Sequence, residues 1–411
     1  MEDVVSEREL NKMRGRTPVV MLTNSMPPYR ASIIRRIRKA FPHIDLITFL
    51  THHPGEGDRW PPVPQDVLPQ VFFAPHQVSG PMSVMDHLRD IKKGLRVLRR
   101  LHRLRPAALL VCGYNDATRL MTILWSFTTG TPAWLVADSN IRDDNNKGRR
   151  VRLLKSAFLN PLMRLMTGAM PHGTYGTQYF RRYGVPLSRI HLLPFEPDYH
   201  QIDSVSDGHA DAMADRLQLS AHRRRIIYSG RLADVKRVDL LLHAFNRIAG
   251  DRPDWDLLIL GAGPLESQLR HMIEPQLSSR VRFVPPFCDP GSVFAVYRRC
   301  DVLVLPSDYE PWAIVVNEAA ASGLALVCSS VVGAAADLLR DGVNGRVFRK
   351  GDPDDLVRAL LDVTDRANLN RYNAASLEVV ADWRVKADPV NGFAAAMQSV
   401  GLLAAAPQNK D

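Results

Sequence analysis

Short apolar runs, many of them β-branched, punctuate the chain, and most are separated by longer stretches whose apolar positions recur every three or four residues. The first kind reads as strands buried on both faces, the second as helices packed over them. In the first half, strands are predicted at 19–22, 44–51, 71–74, 108–112, 133–137 and 190–195. Helices are predicted from Tyr29 to Ala40, over 83–105, over 116–127 and around Lys147 to Lys155. Between Glu196 and Arg225 the periodicity fades into polar text, and this is the expected linker. The alternation then resumes with strands at 226–229, 256–260, 281–284, 302–305 and 324–328 and helices at 238–248, 265–272 and 292–299. Strictly alternating elements predict an α/β protein of two doubly wound, Rossmann-like parallel-sheet domains with a cleft between them.

The expected boundaries follow the text. Residues 1–16 form a disordered extension, 17–198 an N-terminal domain, and 199–224 a linker. Residues 225–385 form a second domain, and 386–411 a C-terminal helix that returns to the N-terminal one. A length of 411 residues suits two cores rather than one. The start is acidic and lacks an apolar core, unlike a signal peptide. The four cysteines have no paired spacing, which argues against zinc or disulfides and for a reducing cytoplasm.

Charge adds an asymmetry. Residues 1–200 hold 29 basic against 16 acidic side chains, a net of +13, while the remainder holds 24 against 27, a net of −3. The cations concentrate on the predicted helix at 83–105, where Leu88, Ile91, Leu95, Leu98, Leu101 and Leu104 read as a core-facing stripe. Lys92, Lys93, Arg96, Arg99, Arg100 and Arg103 lie between them and read as contacts to anionic lipid headgroups. A protein peripherally attached to the inner face of the cell membrane is the expectation.

Three stretches carry chemistry. The first joins the strand at 302–305 to a helix ending at Gly323, with Glu310 in the loop and Glu318 inside an otherwise apolar helix. An unpaired carboxylate there is costly, so Glu318 wants a ligand hydroxyl or a basic partner. The second is Gly230-Arg231-Leu232-Ala233-Asp234-Val235-Lys236, which sets a forked and a point cation beside a helix start, as a diphosphate requires. The third, Gly261-Ala262-Gly263, is a tight turn without the third glycine of a dinucleotide fingerprint, which excludes NAD.

In this order, and with Asp301-Val302-Leu303-Val304-Leu305-Pro306-Ser307 and Val332-Gly333-Ala334-Ala335-Ala336-Asp337, the chain resembles the retaining glycosyltransferases of family 4, glycosyl transferases group 1. The likeness is close over 225–350 and looser before, through Pro27-Pro28-Tyr29-Arg30 and Asp138-Ser139-Asn140. It implies the GT-B fold and a nucleoside-diphosphate sugar as donor substrate, with no cofactor and no metal. By this resemblance Arg231 and Lys236, with Gly230, Gly261 and Gly263, hold the donor diphosphate; Glu310 meets the sugar hydroxyls and Glu318 the ribose. Backbone N–H groups of Trp312, Ala313, Ile314 and Val315 complete the phosphate site, and Asn24, Tyr29 and Arg30 lie on the acceptor side.

Three departures from the family pattern stand out: Ala313 where glycine is usual, Asn24-Ser25-Met26-Pro27-Pro28 where the first loop usually carries a glycine pair, and Asp138 where many relatives place a histidine near the reacting carbon. The expected function is sugar transfer to a lipid-linked or other membrane-associated acceptor. A soluble acceptor is the alternative. Nucleic-acid binding ranks last, because the basic helices lack interleaved aromatics.

Overall fold

The computed structural model describes residues 15–52, 62–73 and 84–404. The expected extension (except Gly15 and Arg16), the loop at 53–61 and the end of the chain lie outside these residues, as do Ala74 and Ser83. The first domain begins with β1 (Thr17–Thr23), α1 (Pro28–Ala40), β2 (Ile44–Leu50), β3 (Gln70–Val71), α2 (Val84–Leu104) and β4 (Ala108–Cys112). It continues with α3 (Ala117–Thr129), β5 (Ala133–Ala137), α4 (Ile141–Asn145), α5 (Arg149–Leu165), β6 (Gly168–Pro171) and α6 (Thr174–Arg182). The connecting region holds α7 (Tyr199–Asp203) and α8 (Asp207–Arg216).

The second domain opens with β7 (Arg224–Ser229), α9 (Val238–Ile248), β8 (Trp255–Leu260), α10 (Glu266–His271), β9 (Val281–Val284) and α11 (Pro290–Tyr297). Then follow β10 (Val302–Leu305), α12 (Ile314–Ala321), β11 (Ala325–Ser329), α13 (Ala335–Leu338) and β12 (Gly345–Phe348). Three helices close the described chain: α14 (Pro353–Val363), α15 (Arg366–Lys386) and α16 (Pro389–Gln398).

Each domain is one six-stranded sheet, ordered β3-β2-β1-β4-β5-β6 and β12-β11-β10-β7-β8-β9. All the pairings are parallel, with Val20 opposite Ile47 and Leu109, and Ile226 opposite Leu257 and Val302. The strand order reverses between β1 and β4 in one sheet and between β7 and β10 in the other, the topological switch points where open α/β sheets bind ligands.

The helices start where the sequence supplies caps. Asp116 accepts from the Arg119 N–H at the head of α3, and Asp289, Asp352 and Asp388 do the same for α11, α14 and α16. Gly130, at φ 67°, closes α3 in the left-handed conformation.

Three apolar clusters form the cores. One face of the first sheet packs on α2, α3, α5 and α6 through Val97, Ile123, Leu159 and Phe180. Its other face packs on α1 and on the returning α16, which buries Phe393 and Met397 there. Gly392 lets α16 approach the backbone, since a Cβ there would stand 1.7 Å from the Leu192 carbonyl oxygen. The third cluster fills the second domain. Arg36 on α1 pairs with both Glu196 and Asp388, one on each of the two segments that cross between the domains.

The sequence reading needs four corrections. Residues 190–195 form no strand: they follow β6 with isolated ladder bonds, His191 N–H to the Ala169 carbonyl at 3.1 Å and Leu193 N–H to Pro171 at 2.9 Å. The edge position belongs to β6, whose glycine and proline hide its strand character. The expected linker at 199–224 holds two helices, α8 being capped by Ser206. The leucine stripe of α2 is not all core-facing: Val97 and Leu101 are buried, but Leu88, Ile91 and Leu95 face solvent. Lys93 is buried, bound to Asp90 at 2.8 Å and to the Thr51 carbonyl at 3.0 Å, and is withdrawn as a lipid contact.

Candidate functional site

The turns after β7 and β8 are locked backbone to backbone. A Cβ on Gly261 (φ 153°) would fall 1.9 Å from the Gly230 carbonyl oxygen, and one on Gly263 would fall 2.1 Å from that of Leu232. Gly230 itself stands at φ 155°, and the Tyr228 hydroxyl donates to the Arg231 carbonyl at 2.8 Å. The turn therefore presents Arg231 outward. Its side chain is exposed and has no ion-pair partner among the described residues. Lys236, from the 3-10 turn Asp234–Lys236, reaches across to Glu310, Nζ to Oε2 2.5 Å. The Ser307 hydroxyl lies 3.3 Å from the same oxygen. The Lys236–Glu310 pair is partly buried, so each charge is held in a fixed direction by its partner.

Beyond Glu310 the chain enters α12 through Ala313, which sits in the left-handed region at φ 80° and ψ 81°. A Cβ is unfavourable there. The first turn of α12 leaves backbone N–H groups without intrahelical partners, and Ile314 and Val315 are both half-buried at that end. The loop is braced from below: the Gly333 N–H donates to the Glu310 carbonyl at 3.0 Å and the Ala334 N–H to that of Trp312 at 2.8 Å. Gly333 has room for no side chain, as a Cβ would meet the Pro311 carbonyl at 1.9 Å. Glu318 lies half-buried in α12. It accepts from the Tyr297 hydroxyl at 3.3 Å, and burial pushes its carboxyl up to about 7.

The opposite wall comes from the ends of β5 and β6. Asp138 is exposed on the cleft, and Asn140 donates to the Val331 carbonyl at 3.0 Å, joining the two domains. The Thr174 N–H and hydroxyl donate to Asp337 at 2.9 and 2.6 Å, a second bridge across the cleft. The Trp312 indole donates to the Phe195 carbonyl at 2.8 Å, so its side chain anchors the crossover. Between these walls lies a void of about 10 Å³, lined by Asp138, His172, Gly173, Tyr175, Trp312 and Gly333 among others.

Sequence reasoning passed over His172. Its Nδ1 is 2.7 Å from the Leu193 carbonyl and therefore carries the proton, which leaves Nε2 as an acceptor. That Nε2 is buried without a partner. Burial pushes the ring down to about 4, against the opposing pull of Asp138, so it is neutral near pH 7. The signal was a polar residue ending a strand, and it was hidden because β6 itself went unrecognised.

Of the other expected residues, Asn24 is exposed at the end of β1. Tyr29 packs on Phe195 with ring centroids 5.1 Å apart. Arg30 is buried, donates to the Thr23 hydroxyl and lies over the Phe195 ring, so it supports the crossover from within instead of facing the cleft. Lys92, Arg96, Arg99 and Arg103 are exposed on α2, far in sequence from the cleft loops. Arg100 is half-buried and donates to Gln70 at 2.9 Å. Among the described residues no cluster of three or more His, Cys, Asp or Glu side chains is arranged to hold a metal ion.

Residues 211–375 match the family described as Glycosyl transferases group 1. Among curated proteins, the chain is 33% identical over 189 residues to D-inositol 3-phosphate glycosyltransferase of Mycolicibacterium vanbaalenii, covering 41% of each chain. It is 31% identical over 166 residues to exopolysaccharide phosphotransferase SCO2592 of Streptomyces coelicolor, covering 40% of this chain and 17% of that one. The chain thus spans less than half the length of these relatives. Among solved structures it is similar to Anabaena HepE in complex with UDP and glucose, with TM-score 0.69, 16% identity, and coverage of 94% of this chain and 100% of that one. Sucrose-phosphate synthase from Thermosynechococcus elongatus gives TM-score 0.71, 15% identity and the same coverage. At these identities the likeness is one of fold. Residues 211–375 thus resemble the glycosyl transferases group 1 domain, and the chain as a whole shares the two-domain GT-B fold of these structures.

Proposed function

We propose that the protein is a retaining, family 4 glycosyltransferase that moves a sugar from a nucleoside-diphosphate donor to a lipid-linked or other membrane-associated acceptor. Synthesis of exopolysaccharide, capsule, O-antigen or glycolipid is the setting that fits, with the protein held peripherally at the inner face of the cell membrane. The observation that carries the donor side is the exposed Arg231 together with the Lys236–Glu310 pair, both set in loops at the strand ends of the second sheet. In this reading Arg231 and Lys236 balance the charge that builds on the departing diphosphate, with the first N–H groups of α12 assisting. Glu310 orients the sugar hydroxyls, and Glu318 accepts from the ribose. The acceptor hydroxyl oxygen bonds to the anomeric carbon on the face that the diphosphate leaves. The carbon–oxygen bond to phosphate breaks with its electron pair going to the phosphate oxygen, and that oxygen takes the acceptor's proton. The side chains position the reactants and supply charge, and no metal is invoked. HepE, whose fold this chain shares, is described in complex with UDP and glucose, which supports a donor of this class.

A soluble acceptor is the second reading. It is favoured by the several relatives named D-inositol 3-phosphate glycosyltransferase, whose named substrate is a small phosphorylated polyol. A thermal-shift screen of UDP-, GDP- and ADP-sugars tests the donor half common to both. One nucleotide series is expected to raise the melting temperature, with the shift lost in Arg231→Ala and Glu310→Ala. Absence of any shift, or variants that respond like the parent, overturns the proposal.

A further inference from the structure

Nine of the eighteen strongly exposed large apolar side chains among the described residues lie on three helices of the first domain, α2, α3 and α5. These helices form one layer. Val97, Ile123 and Leu159, one from each, enter the same core cluster on the same face of the sheet, and α3 packs against both α2 and α5. The outer surface of the layer is unusual for a solvated helix face. On α2, Leu88, Ile91 and Leu95 point outward. On α3, Leu124 and Phe127 do so, Phe127 with 57% of its surface open.

The first half of α5 is the most exposed. From Arg149 to Phe158 no residue is buried, and Val151, Leu154 and Phe158 recur at helical spacing with Leu154 at 74% exposure. The α3 part of this surface carries no exposed charge, its one charged side chain, Arg119, being buried, and the α5 part carries only cations. Neither α3 nor α5 contains an aspartate or glutamate, while Arg149 and Arg150 stand exposed beside the apolar stripe of α5. On α2, Lys92, Arg96 and Arg99 flank the exposed leucines.

We infer that this surface docks flat on an anionic lipid bilayer, with the apolar side chains of α3 and α5 entering the headgroup layer and the cations meeting lipid phosphates. The chemistry selects the partner. A nucleic-acid surface would use the cations and leave the exposed leucines and Phe158 without a role. An anionic bilayer uses both, because amphipathic interfacial helices combine an apolar face with basic flanks. No described helix is long and apolar enough to cross a membrane, so the contact is one of lying on the surface.

Position ties the surface to the cleft. The α5 helix begins eleven residues after Asp138 and is clamped to α4 through Asp144, which binds Lys155 at 2.7 Å, Arg182 at 3.0 Å and the Tyr183 hydroxyl at 2.8 Å. A lipid-tethered acceptor leaving the bilayer beside α5 would thus meet the β5 end of the cleft. The inference deepens the proposed membrane attachment by naming the surface that makes it, and it is independent of the donor loops.

The test is co-sedimentation of the full chain with phosphatidylcholine vesicles, with and without phosphatidylglycerol, for the parent, for Leu124→Gln/Leu154→Gln/Phe158→Gln and for Arg149→Gln/Arg150→Gln. Binding only to the anionic vesicles is expected. The apolar triple variant should lower the partition coefficient by about tenfold or more, and the arginine pair should weaken binding most at low salt. The melting shift given by the responding series among UDP-, GDP- and ADP-sugars should be the same in all three proteins. Failure of that shift alone overturns the donor reading and leaves the docking intact. Absence of vesicle binding, or equal binding by parent and triple variant, overturns the inference. So does a concentration-dependent dimer seen by analytical ultracentrifugation and lost in the triple variant, which would assign the surface to a second copy of the chain.

Discussion

Glu318 makes a titration experiment informative. Its carboxyl is pushed from an ordinary 4.5 up to about 7 in the fold, so the folded chain holds the proton more tightly than the unfolded one. Stability from this group is complete below the ordinary carboxylate range and is lost as pH rises through about 7. Glu318→Gln stays neutral throughout and keeps the Tyr297 hydrogen bond. The variant is expected to gain up to about 2 kcal/mol on the parent between pH 4 and pH 8 in urea unfolding. A difference that stays flat with pH would remove the desolvated carboxylate from the account. Ala313 is the second informative residue. Its left-handed conformation costs about 1 kcal/mol, partly offset by the backbone freedom that glycine would bring to the unfolded chain. Ala313→Gly is expected to leave stability equal or raise it by about 0.5 kcal/mol, measured by denaturant midpoint. A loss of more than about 1 kcal/mol would mean that the Cβ packs usefully.

At the scale of the element, α2 shows what periodicity can and cannot tell. The helix, its cations and its amphipathic character were all legible, but not which face meets the sheet. Asp90 and Lys93 decide that. They are buried together, with Asp90 also accepting from the Thr118 N–H and hydroxyl of α3, and this turns the stripe of Leu88, Ile91 and Leu95 outward. A sequence reading that counts every charge as solvated inverts such a helix. Lys93→Met leaves the Asp90 carboxylate unpaired and is expected to cost about 3 kcal/mol, whereas Arg99→Met on the exposed face should change stability by less than about 0.5 kcal/mol. Equal effects in urea denaturation would return Lys93 to the surface. The strand β6 failed for a different reason. Its sequence, Gly-Ala-Met-Pro, lacks β-branched residues, and Gly168 tolerates no side chain, since a Cβ there would meet the Arg189 carbonyl oxygen at 2.2 Å. Tertiary crowding there overrode propensity.

At the scale of the whole molecule, the two sheets and their order of alternation were legible because parallel strands buried on both faces leave continuous apolar runs. The loops that hold Arg231, Lys236 and Glu310 were legible as strings at strand ends. Their partners were not, since the pairs join residues far apart in sequence: Lys236 to Glu310 within the second domain, and Thr174 to Asp337 and Asn140 to Val331 across the cleft. His172 was invisible for the same reason, its role being defined by the Trp312 and Asp138 that surround it only in the fold. The domains also share a crossover that sequence does not mark, with Arg36 holding Glu196 and Asp388 together where the chain crosses twice.

The central claim is that this cleft transfers a sugar from a nucleotide to an acceptor at a membrane. The most direct measurement incubates the full chain with radiolabelled sugar nucleotides and isolated bacterial membranes, then follows label into lipid-extractable product alongside free nucleoside diphosphate. The account predicts equal amounts of both from one donor, with each reduced by at least about a hundredfold in Arg231→Ala and in Glu310→Ala. Nucleotide release without labelled product, or transfer undiminished in both variants, would contradict it.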